Sequence, residues 1–164
     1  MAKKILLVIL VILLIIQFFH PKKNTGAEPS PNGIAAVYAV PDSVQQVLAV
    51  ACNDCHSGNT RYPWYSKIQP VDWWLTHHVN EGKRELNFDE FKTFTPRRQY
   101  NKMKSLINEI KEGGMPLDSY TWIHKDAILS PAQKQLLITW AEDIRRQLEK
   151  TYPPDSLARK KPGA

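Results

Sequence analysis

The chain has 164 residues, 43% of them hydrophobic, and a formal net charge of +6, enough for one modest domain. The excess charge lies at the ends. Lys3, Lys4, Lys22, Lys23, Arg159, Lys160 and Lys161 account for it, and residues 24–155 carry fifteen basic against sixteen acidic side chains, a balance of −1. A near-neutral middle argues against a nucleic-acid interface, which needs clustered cations to neutralise phosphates.

Lys3 and Lys4 precede an unbroken apolar run, Ile5 to Ile16, extended through Phe19 and closed by His20-Pro21-Lys22-Lys23. A basic start followed by an apolar core is the pattern of a secretory signal. The run is shorter than the roughly 20 residues of a full span, and Thr25-Gly26-Ala27 is only a weak cleavage candidate. Residues 1–23 are expected to be a signal anchor or signal peptide, with the anchor preferred. Residues 24–41, with Gly26, Pro29, Pro31, Gly33 and Pro41, read as a linker. A helix is expected from Asp42 or Ser43 to about Cys52, with Val44, Val47, Leu48 and Ala51 on one face.

The two cysteines of the chain stand in Cys52-Asn53-Asp54-Cys55-His56. C-x-x-C-H is the spacing of a c-type haem attachment site. Two thiols about one turn apart can take up the two vinyl groups of one haem, and the next residue can turn its imidazole to the iron. Three plainer readings compete. A disulfide here would close a very small loop and constrain little of the unfolded chain. A thioredoxin-like dithiol needs a strand before it, whereas the upstream spacing is helical. A zinc finger needs a second ligand pair, and twelve residues past Cys55 stands Ile68, not histidine.

After a loop over residues 57–61, Pro70 fits the first turn of a helix carrying Trp73, Trp74, His77 and His78 and ending near Gly82. Residues 86–91 read as one or two helical turns. Thr95-Pro96 opens a helix with Tyr100, Met103, Leu106, Ile107 and Ile110 in register, stopped by Gly113. Ser130-Pro131 opens a last helix with Leu136, Leu137, Trp140, Ile144 and Leu148, which Pro153-Pro154 ends. No β alternation appears, so the expected class is all-α.

A haem iron bound by His56 has a second axial position. Met115 is the first candidate: its soft thioether suits haem iron and raises the potential, and it stands in the loop Gly113-Gly114-Met115-Pro116. His78 and His124 are the alternatives. Met103, in mid-stripe, reads as core. Arg61 and the cluster Tyr62, Trp64, Tyr65, Trp73 and Trp74 could hold haem propionates, because buried carboxylates need donors.

Together, Cys52–His56, Gly113–Pro116, Leu129-Ser130-Pro131-Ala132-Gln133 and Trp140 resemble a class I c-type cytochrome. More narrowly, Cys52–Ser57, Tyr62-Pro63-Trp64-Tyr65-Ser66, Pro70-Val71-Asp72-Trp73-Trp74, His78-Val79-Asn80-Glu81-Gly82 and Leu86-Asn87-Phe88 resemble the small bacterial haem-binding domain family, whose members carry an N-terminal membrane segment. The resemblance implies a cytochrome c-like helical domain around one covalent haem c. In it Cys52 and Cys55 attach the haem, His56 is the proximal ligand and Met115 the distal one.

The expected organisation is a signal segment at 1–23, a linker at 24–41, the haem domain at 42–152 and a basic tail at 153–164. The expected function is that of a mono-haem c-type cytochrome carrying single electrons, with no catalytic residues. It would be held in the inner membrane by residues 5–19 with its domain in the periplasm, and would exchange electrons with redox partner proteins in or at that membrane. The alternative is a haem-based sensor whose distal position is open or weakly held.

Overall fold

The structure, a computed structural model, describes residues 1–26 and 29–158. Residues 159–164 of the expected tail, and Ala27 of the cleavage candidate, lie outside that range. The chain is helical, and among the described residues the one extended pairing is an isolated bridge between Thr25 and Asn59. The helices are α1 (Ala2–Ile16), α2 (Asp42–Ala51), α3 (Asn53–His56), α4 (Val71–Glu85), α5 (Pro96–Glu112), α6 (Asp118–Thr121), α7 (Pro131–Thr151) and α8 (Pro154–Leu157). Short 3₁₀ turns lie at Ile34–Ala36, Trp64–Lys67, Phe88–Thr93 and Lys125–Ala127.

The core forms where α5 meets α7. Met103, Ile107 and Ile110 of α5 pack with Leu137, Trp140, Ala141, Ile144 and Leu148 of α7, and Val44, Val47 and Leu48 of α2 close the cluster with Phe91. Local signals fix both long helices. The Thr95 hydroxyl accepts from the Arg98 amide, and Pro96 supplies a φ already suited to a first turn. Gly113 ends α5 at φ 76°, the left-handed conformation in which a Cβ would be strained. Ser130 and Gln133 form a capping box at the start of α7. Ser130→Ala is expected to cost about 1 kcal/mol, read as a lower urea midpoint at unchanged slope.

The N-terminal expectation needs correction. Helix α1 has 15 residues, about 22 Å at 1.5 Å per residue against a hydrocarbon thickness of about 30 Å. Among the described residues no helix is long and apolar enough to cross a membrane. That overturns the expected N-terminal membrane helix and, with it, the anchored inner-membrane placement. Beyond α1 a turn at Gln17 and Phe18 ends the helix, and the chain is tied down by side-chain hydrogen bonds.

Residues 17–26 form a strap across the start of α4 and the loop after α3. Gln17 exchanges two hydrogen bonds with the Gln69 backbone, at 3.0 and 3.2 Å. The Phe19 carbonyl accepts from Gln69 Nε2 at 2.6 Å and from Trp73 Nε1 at 2.9 Å. Lys23 Nζ donates to Asp72 at 2.6 Å and to the Ser66 carbonyl at 2.8 Å, and His20 Nδ1 donates to Asp72 at 2.8 Å. The Asn24 amide donates to Tyr62 Oη at 2.8 Å. Further along, Ile34 enters the core and the Ala39 carbonyl accepts from Trp140 Nε1 at 3.1 Å. The described residues of the Gly/Pro-rich stretch thus make contacts with the domain at Asn24, Ile34 and Ala39.

Candidate functional site

Cys52 ends α2 and begins α3, and its carbonyl accepts from the amides of Cys55 and His56 at 3.1 and 3.0 Å. That single turn brings both thiols and the imidazole to one side of the chain. The two cysteines are free and half-buried. Burial pushes the Cys52 thiol up to about 12, with Cys55 adding to it, and burial with Asp54 pushes Cys55 up to about 11. Protonated thiols in an apolar setting do not suit a redox dithiol, which relies on a depressed thiol pKa. Among the described residues no three His, Cys, Asp or Glu side chains converge as a metal site.

His56 is oriented by α4. Its Nδ1 lies 2.9 Å from the Leu86 carbonyl, just past the end of α4. A carbonyl can only accept, so Nδ1 carries the proton and Nε2 keeps its lone pair. Burial lowers the imidazole pKa, partly opposed by the bond to Leu86, so the ring is neutral near pH 7. Phe88 packs edge-on against it at 6.4 Å.

Three adjoining cavities open from this turn; the smallest, about 60 Å³, borders Cys55 and is lined by Arg61, Tyr62, Tyr65, Trp74 and His124 among others. Of the other two, the first, about 200 Å³, is lined by Cys52, Cys55, His56, His78, Met115 and Tyr120 among others. The second, about 230 Å³, has Cys52, His56 and Met115 in its wall together with Phe88, Lys102 and Leu137. Ala51, Cys52, His56, Glu85, Met115 and Pro116 border both. The expected residues Cys52, Cys55, His56 and Met115 are therefore brought together. Met115 is placed by the end of α5: after the left-handed Gly113, the amides of Gly114 and Met115 close on the Glu109 carbonyl at 2.9 and 3.3 Å.

The alternatives fare differently. His78 borders the first cavity, but its Nδ1 lies 3.0 Å from the Trp74 carbonyl of its own helix and its ring lies against Trp74. His124 borders the smallest cavity and not the two that Met115 lines. Its Nε2 is 2.8 Å from Tyr65 Oη, and its ring stacks on Tyr120 with centroids 4.3 Å apart. Met103 is fully buried in the core.

Tyr62, Tyr65 and Trp74 line the smallest cavity, and none of Tyr62, Trp64, Tyr65, Trp73 and Trp74 lines the two that Met115 borders. Tyr62 and Trp73 serve the strap, and Trp64 is 76% exposed. Arg61 is engaged by buried Asp54, with its backbone N, Nε and Nη2 at 3.0, 3.1 and 3.2 Å from the carboxylate.

Residues 11–143 match the model of a haem-binding domain family. The chain belongs to the haem-binding domain family. No curated protein and no solved structure matches it.

The cofactor of this haem-binding protein is therefore a haem, and the cavity residues fit one. The walls are largely apolar, with Ala51, Leu86, Phe88, Leu106, Ile110, Leu129 and Leu137 on one side. A neutral imidazole offers a free nitrogen, and a thioether borders the same space. Among the described residues Lys102 is the one Lys or Arg on the walls of the two cavities that Met115 borders, 3.4 Å from Glu85. It is the cation available to a carboxylate placed there. Sequence reasoning missed it, although Lys102, Ser105, Leu106 and Glu109 repeat at helical spacing beside the core stripe of α5. It also missed Tyr120, whose hydroxyl meets Asp54 Oδ2 at 2.7 Å.

Proposed function

We propose that this haem-binding protein holds one haem of the c type and carries single electrons. Cys52 and Cys55 supply the two thioether attachment points. His56 gives its Nε2 to the iron as proximal ligand, and Met115 gives its sulfur as distal ligand. A bound haem supplies a one-electron Fe(III)/Fe(II) couple. The chain's own part is to orient and tune. The Leu86 carbonyl keeps the proton on His56 Nδ1 and strengthens the imidazole as a donor. Lys102 balances a carboxylate, and the apolar wall keeps water back.

The observation that carries this reading is the bond from His56 Nδ1 to the Leu86 carbonyl, at 2.9 Å. It commits the ring to present Nε2 beside the cavity that Cys52, Cys55 and Met115 also line. No general base or nucleophile takes part in this scheme. Redox partner proteins follow from it as the sources and acceptors of the electron.

The test is spectroscopy of the haem-loaded chain. The haem absorbance is expected to stay with the polypeptide after denaturation and to be lost from a Cys52→Ala, Cys55→Ala double variant. The ferric protein is expected to be low-spin with a weak far-red sulfur–iron band, and Met115→Ala should lose the band and lower the potential. A band that survives Met115→Ala while His78→Ala changes the spin state would overturn the axial pair. A high-spin wild type that shifts with carbon monoxide would favour a ligand-binding module instead.

A further inference from the structure

Met115 stands on the segment between α5 and α6. Its near side is fixed by the end of α5. Its far side has little apolar support: α6 contains no buried residue, and the core cluster takes no member between Ile110 and Leu129. Polar contacts therefore add to the burial of Ala127, further along, in holding this segment to the rest of the domain.

The contact nearest the cavity is made by Tyr120. Its hydroxyl donates to Asp54 Oδ2 at 2.7 Å and lies 3.2 Å from the Val50 carbonyl. Asp54 is the residue before Cys55 in the attachment turn, and Val50 lies in the last turn of α2. Asp54 is itself buried and held on its other side by Arg61. Asp54, Cys55, Met115, Pro116, Leu117 and Tyr120 all border the first cavity. One hydroxyl thus spans from the element carrying the thiols to the element carrying the thioether. The second tie, from His124 to Tyr65, lies nine residues beyond Met115 and reaches the Trp64–Lys67 turn instead of the attachment turn.

The geometry points to Tyr120 as the positioning residue of the distal ligand: through Asp54 it latches the Met115 loop to the Cys52–His56 turn. This inference rests on the axial pair proposed above. Two loop states follow. In the closed state the Tyr120 hydroxyl is on Asp54 and Met115 is held at the cavity. In the open state the loop swings away and the distal position is free for an outside ligand. A hydrogen bond to a charged group shifts such an equilibrium by roughly tenfold to a hundredfold.

The experiment titrates imidazole into the ferric haem-loaded chain and follows amide exchange over residues 114–121. Tyr120→Phe is expected to keep its covalent haem, bind imidazole at least tenfold more tightly than wild type, and exchange faster over that segment. Tyr38→Phe is the control. It deletes a half-buried hydroxyl of the same kind, 2.6 Å from Gln99, away from the three cavities. Its imidazole affinity should stay within twofold of wild type even if its stability falls. Should Tyr120→Phe fail to fold, Asp54→Asn, which leaves a weaker acceptor, is expected to change both readouts in the same direction by a smaller factor.

Failure of the two ideas can be told apart. A wild-type protein without the sulfur–iron band removes the axial pair, and the latch with it. A wild type that has the band, with a Tyr120→Phe variant whose imidazole affinity and exchange are unchanged, overturns the latch and leaves the axial pair standing. Equal tightening in Tyr38→Phe would also overturn it, by showing a general loosening of the fold.

Discussion

Replacing Lys23 with methionine is expected to destabilise the fold by about 3 kcal/mol at pH 7, the usual cost of removing one partner from a buried ion pair. Asp72 is fully buried at the start of α4, and Lys23 and His20 reach it from the strap at 2.6 and 2.8 Å. Methionine keeps most of the volume of the lysine stem, so the loss is electrostatic. His20 and Gln69 remain near the carboxylate, which keeps the cost at the lower end of the range.

The pH dependence separates this from simple packing. Burial would raise the Asp72 carboxyl; the hydrogen bonds from Lys23 and His20 outweigh burial and hold it below its ordinary value. A depressed folded pKa stabilises the fold above the unfolded value, about 3.9, and that stability is lost as pH falls through the folded value. Without Lys23 the carboxylate keeps the bond from His20 against burial, so its pKa rises and acidification costs the variant less than it costs wild type. The gap between wild type and Lys23→Met should therefore be widest near neutrality and narrow below about pH 4. Urea melts at pH 7 and pH 3.5 check this. An equal gap at both would assign Lys23 a packing role alone.

Gly82→Ala is expected to cost about 2–3 kcal/mol, the upper part of the range for forcing an extra carbon into a packed site. A Cβ on Gly82 would sit 2.6 Å from the Cys55 carbonyl oxygen and 3.0 Å from the Cys55 Cβ. The obstacle is backbone, so it cannot turn aside as a side chain would. Alanine is the better helix former by about 1 kcal/mol, and the crowding is expected to exceed that gain. Helix α4 would have to move off α3, carrying Leu86 away from His56. A lower urea midpoint and reduced haem retention are expected together. A variant as stable as wild type would show that α4 can shift freely.

Gly82 also marks where the sequence misled. A glycine near the end of an apolar pattern reads as a helix stop, yet α4 continues to Glu85. The residue is there for close approach to α3, which is a tertiary fact. Helices α5 and α7 were legible because their caps, prolines and stripes are local signals. The Cys52–His56 turn was legible because its spacing is local, and the loop at Met115 because Gly113 ends α5 before it. The strap was not legible: residues 17–23 read as the end of a signal segment and 24–26 as linker, while Lys23 on Asp72 and Gln17 on Gln69 join residues about fifty apart. Tyr120 and Lys102 were hidden for the same reason. Their partners Asp54 and Glu85 come from elsewhere in the chain, and nothing in local periodicity pairs them. The apolar run at the N-terminus was read by composition, and its length in the structure decided against a span.

The strap changes what α1 is mechanically. A helix joined to a domain through a loose Gly/Pro chain swivels, and the distance it explores grows with the number of free residues. Here Gln17, at the very end of α1, donates to the Leu13 carbonyl behind it and grips Gln69 ahead of it. No residue of α1 is buried. The helix is a handle set at a fixed angle, not a leash. Whatever surface takes hold of α1 also fixes which way the cavity mouth faces.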